Sequence, residues 1–259
     1  IISKENPDRA HVLPVRPAWF GCACCPPNLS RMITSLAEYI YTIKGDQVYV
    51  NLFMPDQAVL HLENKTIELE TETEYPYEGL IKFNLKTAGD YEMCLRIPAW
   101  SSQKWSVSVN GEKVQPEVKD GFAHLKRSWN AGDVIVLELD FEPKRVYANP
   151  KVSKDVGKVA IQCGPLVYCL EEVDNGKGLQ RIYLPKESEL QLEHRADKLL
   201  GINEIHTKGY RLKELEDETV LYTSGVNWEY EPVDLTYIPY YAWANRGENE
   251  MTVWVHEKA

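Results

Sequence analysis

From Gln47 onward apolar residues recur at every second position, and that period limits the chain to half-buried β-strands. Ile67, Leu69, Thr71 and Thr73 alternate with Glu68, Glu70, Glu72 and Glu74. Ile81, Phe83 and Leu85 alternate with Lys82, Asn84 and Lys86; Tyr91, Met93, Leu95 and Ile97 alternate with Glu92, Cys94 and Arg96. Successive side chains of a strand point to opposite faces, so each run offers one apolar face and one polar face. Asn110-Gly111, following Trp105, Val107 and Val109, is a tight-hairpin signal, because both turn positions need positive φ. The Asn130–Asp133 turn leads into Ile135, Leu137, Leu139 and Phe141. Short strands joined by such turns predict an antiparallel sandwich. The glutamates at 68–74 read as its solvated face, not as a metal site.

Asn149-Pro150 to Gly157 reads as a linker into a second β-rich block: Val159 to Leu170, Gln180 to Leu184, Val220 to Tyr222 and Tyr240 to Val255. Residues 186–218 are charged and weakly periodic, which suits a short helix or an ordered loop. At the other end, residues 1–27 read as loop, with Pro at 7, 14, 17, 26 and 27. Asn28 has the side chain of a helix N-cap. Leu29, Met32, Ile33, Leu36, Ala37 and Ile40 then follow helical spacing, with Gly45 and Asp46 ending the helix. No second helical pattern lies nearby to cover that apolar stripe. Together with the missing initiator Met, this leads us to expect a piece of a longer chain.

Composition narrows the partners. The 259 residues carry 29 Lys and Arg against 39 Asp and Glu, a formal charge of −10 that repels nucleic acid. Apolar runs such as Val134–Leu137 and Leu166–Leu170 are far shorter than the roughly 20 residues a spanning helix needs. Apolar residues at 44% are enough for a large core.

Of the six cysteines, Cys94, Cys163 and Cys169 are spread through strands and read as buried or half-buried thiols. Cys22, Cys24 and Cys25 cluster ahead of Pro26-Pro27-Asn28. The prolines restrain a turn, and the helix that follows places its positive end beside the sulfurs, favouring thiolate over thiol. Thiolates are good zinc ligands, but tetrahedral zinc needs two more groups. A metal-binding or nucleophilic thiolate, a vicinal disulfide and three packed thiols all fit the residues alone. Cys22, Glu5 and His11 are the nearest further donors, each better read as a loop residue.

The stretch Trp19-Phe20-Gly21-Cys22-Ala23-Cys24-Cys25-Pro26-Pro27-Asn28 resembles the signature of glycoside hydrolase family 127, the bacterial β-L-arabinofuranosidases, and of the related family 146. Val48–Phe53, Leu95–Trp100, Val107–Gly111, Gly164–Tyr168 and Pro239–Gly247 resemble that family too, in its order. The resemblance implies a mainly β fold: two β-sandwich domains preceded by the last helix of a mostly absent (α/α)6 barrel. It divides the chain into 1–44, the barrel remnant, 45–147, the first sandwich, and 148–259, the second. It implies a Zn2+ cofactor held by a Glu, a Cys and both members of the Cys-Cys pair, here Cys24 and Cys25 as metal ligands. It makes Cys24 the nucleophile of a retaining glycoside hydrolase. The family's other ligands and its acid/base Glu lie upstream, with no matching position here, so the chain alone is expected to be inactive.

The implied partner is an arabinose-containing oligosaccharide or glycan, with no nucleic acid and no membrane. A homodimer through the sandwiches is compatible with the pattern, and so is either a cytoplasmic or a periplasmic setting. The alternatives are a non-catalytic carbohydrate-binding or dimerisation module, which has no need of the cysteines, and a structural zinc or redox site. Trp19 and Phe20 suit stacking on a sugar or, more simply, a core. Trp100, Trp105, Trp129, Trp228, Trp243 and Trp254 read as sandwich core or domain interface. Cys22 reads as packing.

Overall fold

The computed structural model describes residues 15–18, 21, 23–215 and 220–258. The fold is mainly β, with few and short helices. The chain forms two compact units, one of residues 19–141 and one of residues 1–18 with 142–259.

The first unit opens with helix α1 (Cys25–Ser35). It starts three residues before Asn28, because proline is tolerated in a first helical turn, where its missing N–H has no partner to lose. Asn28 is therefore not the cap; its Nδ2 donates to the Cys24 carbonyl at 2.8 Å. The helix also ends earlier than expected. A 3-10 turn (Leu36–Tyr39) leads directly into the strand β1 (Tyr41–Lys44), and Gly45-Asp46 is the two-residue loop to β2 (Gln47–Val50). Gly45 adopts φ +60°, which that hairpin requires.

The strands then follow the alternation: β3 (Asp56–His61), β4 (Thr66–Thr73), β5 (Leu80–Leu85), β6 (Gly89–Arg96), β7 (Trp105–Val109), β8 (Glu112–Val114), β9 (Glu117–Lys119), β10 (Phe122–Trp129) and β11 (Val134–Leu139). They make a five-stranded sheet, β1-β2-β6-β10-β9, and a six-stranded sheet, β3-β4-β5-β11-β7-β8. Met93 and Leu95 from the first sheet and Ile67, Ile81, Phe83 and Leu137 from the second pack in one core. Each such fully buried side chain contributes about 1.5–3 kcal/mol. The Glu68–Glu74 run is the solvated face, with Glu70 paired to Lys86 at 2.8 Å and Glu72 to Lys82 at 3.2 Å. Asn110 (φ +52°) and Gly111 (φ +83°) turn β7 into β8.

The second unit begins at Glu142, six residues before the start at Ala148 expected from the Asn149-Pro150 linker. The reason is β12 (Lys144–Val146), whose backbone pairs with β13 (Lys158–Cys163). Then come β14 (Leu166–Glu171), the one-turn helix α2 (Glu172–Asn175), β15 (Ile182–Pro185), β16 (Gln191–Arg195), β17 (Ile202–Leu212), β18 (Tyr230–Pro239), β19 (Met251–Thr252) and β20 (Val255–Lys258). They form one nine-stranded sheet. Because β13 also pairs with β14, the order β13-β20-β15-β17-β18-β14 returns to its start. The second β domain is thus a single sheet curled back on itself.

Three expectations change in this unit. Residues 186–218 contain β16 and β17, the longest strand, where a loop or short helix was expected. Asn203 and Glu204 are buried in β17, so its sequence shows no clean alternation. Each is satisfied by polar neighbours: Asn203 by His194 at 2.9 Å, Glu204 by Lys198 and by Arg195 at 3.4 Å. Val220–Tyr222 is not a strand; Leu221 and Tyr222 are 83% and 94% exposed. Within Tyr240–Val255 only β19 and the first residue of β20 are strand.

Candidate functional site

Cys24 and Cys25 sit where the chain enters α1. Cys24 is its N-cap residue, already at helical φ −73° and ψ −39°, and Cys25 is the first helical residue. The turn brings both sulfurs to one side, 3.8 Å apart, and both residues are exposed. A disulfide needs about 2.05 Å, so this is not a vicinal disulfide. Two sulfurs each about 2.3 Å from a tetrahedral zinc stand about 3.8 Å apart, so the pair already has the spacing of two zinc thiolates. Among the described residues no third His, Cys, Asp or Glu completes a ligand set with them. Cys22, Glu5, His11, Trp19 and Phe20 lie outside the described residues.

The helix carries the expected apolar stripe, but none of its residues is buried. Leu29, Met32 and Ile33 are 58%, 59% and 62% exposed. The stripe and the two thiols thus lie on the same short element.

A second cluster was not found from the sequence. Glu92 and Cys94 lie two apart on β6, so both point to the sheet face opposite Met93 and Leu95. His124 on β10 is the cross-strand partner of Cys94. The Nδ1 of His124 is 2.6 Å from Glu92 Oε1 and 3.4 Å from Cys94 Sγ. Gln47 Nε2 donates to Glu92 Oε2 at 2.8 Å, and Tyr49 lies beside Cys94 on β2. Burial, with the Glu92 charge adding to it, pushes the Cys94 thiol up to about 12. Burial also acts to raise Glu92, but hydrogen bonds from Gln47 and His124 outweigh it and hold the carboxyl below its ordinary value. Among the described residues this is the one trio of metal-ligating side chains whose donor atoms all lie within 4.8 Å of one another. The Glu-x-Cys spacing was the available signal; His124, thirty residues on, was not legible.

Cys163 and Cys169 are buried, as expected. Among the tryptophans, Trp129 is buried and Trp100 and Trp105 pack against the core of the first unit, while Trp228 is 53% exposed.

Comparison with known proteins gives a consistent picture. Residues 47–141 match the model "Beta-L-arabinofuranosidase, GH127 middle domain", and residues 143–256 match "Glycoside hydrolase family 127 C-terminal domain". The chain is 37% identical, over 96% of its length, to a non-reducing end β-L-arabinofuranosidase of Bifidobacterium longum subsp. longum, of which it covers 39%. It superposes with a TM-score of 0.91 on a crystal structure of a family 127 β-L-arabinofuranosidase from Geobacillus stearothermophilus T6, at 40% identity, covering 98% of this chain and 40% of that one. A second solved family 127 β-arabinofuranosidase gives 0.84 at 40% identity, covering 94% of this chain and 40% of that one. The chain therefore spans about two fifths of the length of these relatives.

Proposed function

Because the chain belongs to glycoside hydrolase family 127, we propose that the protein it forms part of is a retaining glycoside hydrolase that releases β-L-arabinofuranose from arabinose-containing glycans, with Cys24 as nucleophile. The observation that carries this reading is the pair of exposed sulfurs held 3.8 Å apart at the start of α1.

Cys24 Sγ attacks the anomeric carbon through an oxocarbenium-like transition state. The C–S bond forms as the bond to the leaving oxygen breaks, and a carboxylic acid protonates that oxygen. The resulting carboxylate then takes a proton from water, whose oxygen displaces the sulfur and returns Cys24 as thiolate. Two displacements at one carbon retain its configuration. The acid/base carboxylate is a Glu that the family places outside this stretch, and for that reason we propose that the 259-residue chain alone is inactive.

The residues present fit zinc at this position: Cys24 and Cys25 are soft donors at the spacing of two zinc thiolates. Zinc bound there would keep the thiols deprotonated at neutral pH. Asn28 supports the turn by donating to the Cys24 carbonyl.

The test is the full-length protein with Cys24→Ser, assayed on an aryl β-L-arabinofuranoside. Turnover is expected to collapse, and a glycosyl adduct should be found in the unaltered enzyme on the peptide containing Cys24. Normal turnover by the serine variant would overturn the assignment.

A further inference from the structure

We propose that Glu92, Cys94 and His124 form a metal site for zinc(II), clipping β6 to β10 on the sheet face opposite the core. The inference is independent of the Cys24–Cys25 reading, because it concerns another element and another set of donors.

Carboxylate, thiolate and imidazole are the three ligand types zinc takes from proteins. Here one atom of each lies within 4.8 Å of the other two. Around a tetrahedral zinc, nitrogen and sulfur stand roughly 3.5 Å apart and nitrogen and oxygen roughly 3.3 Å apart. The Cys94–His124 separation of 3.4 Å already matches. The Glu92–His124 separation of 2.6 Å would open by about 0.7 Å to reach that spacing.

Both close contacts of the imidazole fall on the same nitrogen, Nδ1. A Cys-His-Glu catalytic relay would use opposite ring nitrogens, one to take the thiol proton and one to be held by the carboxylate. The arrangement is therefore not such a relay. A single Nδ1 cannot accept from the thiol while donating to the carboxylate. Without a metal, Nδ1–H donates to Glu92 and the sulfur is at most a weak second acceptor; a cation at the shared centre would instead receive a lone pair from each of the three atoms.

Gln47 engages Oε2 of Glu92 and leaves Oε1 turned toward His124. Such outer hydrogen bonds orient metal ligands. Glu92 supplies one negative charge, and Cys94 would supply a second only on losing its proton to solvent as the ion binds. Glu92 and His124 side chains retain 15% and 16% exposure, and a surface concavity of about 720 Å³ lined in part by Gln47, Glu92 and Lys126 opens beside Glu92. Lys126, the cross-strand partner of Glu92, tempers the affinity without occupying the donor centre.

The experiment uses the protein carrying Cys22→Ser, Cys24→Ser and Cys25→Ser, titrated with Co(II) as a spectroscopic probe and with Zn(II) in thermal melts. One equivalent of cobalt should give a thiolate-to-cobalt charge-transfer band, and zinc should raise the melting temperature. His124→Ala and Glu92→Gln leave the buried cysteine untouched and should each weaken binding at least about tenfold. Cys94→Ser should abolish the band, with circular dichroism reporting whether that variant folds. Absence of the band in the triple variant, or a band that His124→Ala and Glu92→Gln both leave unchanged, overturns the proposal. Loss of zinc from the parent protein's Cys24–Cys25 site would not affect this result.

Discussion

The sulfurs of Cys24 and Cys25 are 3.8 Å apart, although the residues adjoin and on a strand would point to opposite faces. The helix start makes the difference. If the pair holds zinc, Cys25→Ser in the full-length protein should cost more than the about 10–100-fold in affinity typical of losing a supporting hydrogen bond to a ligand. Metal analysis after dialysis against a weak chelator would measure this. Full zinc occupancy in the variant would rule Cys25 out as a ligand.

Arg246 should be among the residues the second unit can least spare. Its guanidinium reaches the fully buried Glu171 at 2.5 Å and Asp174 at 2.5 Å, while Ala244 N–H donates to the other Glu171 oxygen at 2.9 Å. Arg246→Met strands a buried carboxylate and should destabilise the protein by about 3–5 kcal/mol. Denaturant unfolding would show it; a change within error would mean that the cluster relaxes without its cation.

The same cluster predicts an acid dependence. Burial acts to raise the Asp174 carboxyl, but hydrogen bonds and charge from Arg246 and Lys198 prevail and hold it below the ordinary value of 3.8. A depressed carboxyl stabilises the fold fully above its unfolded value, and that contribution is lost as pH falls through the lower folded value. Stability should thus fall as pH drops below about 4. Arg246→Met should flatten that limb, and an unchanged acid profile in the variant would count against the pairing.

Gly79 is required for space. A Cβ there would run into the Leu139 carbonyl oxygen and the Phe141 ring. The Gly79 carbonyl also accepts from Leu139 N–H at 2.8 Å, so the two backbones cannot easily separate. Gly79→Ala should cost about 1–3 kcal/mol, read as a lower midpoint in urea. A neutral result would show that the loop yields.

Tyr41 ties the five-stranded sheet to the six-stranded one. Its hydroxyl donates to Asp56 at 2.9 Å and lies 3.0 Å from Thr71 Oγ1. Burial, with the Asp56 charge adding to it, keeps the phenol protonated well above its ordinary range. Tyr41→Phe leaves half-buried Asp56 short of a donor and should cost about 1–3 kcal/mol. The double change Tyr41→Phe/Asp56→Ala should cost less than the sum of the single changes; strict additivity would show that the two do not interact.

The sequence by itself determined what is local. Period-two runs specified β4, β5, β6 and β11 and the solvated glutamate face, because alternation follows from strand geometry alone. Asn110-Gly111 specified its hairpin through the φ values it tolerates, and the Cys-Cys-Pro-Pro-Asn element marked the family. Tertiary structure decided whatever depends on distant partners. β17 is a strand because His194, Arg195 and Lys198 satisfy Asn203 and Glu204 from across a turn, a fact no window of β17 contains. Gly45 became a hairpin turn instead of a helix stop because β1 finds β2. The Glu92–Cys94–His124 cluster exists because β10 pairs with β6 in a register that sets His124 opposite Cys94. Alternation told which face each side chain took; only the register told which side chains meet.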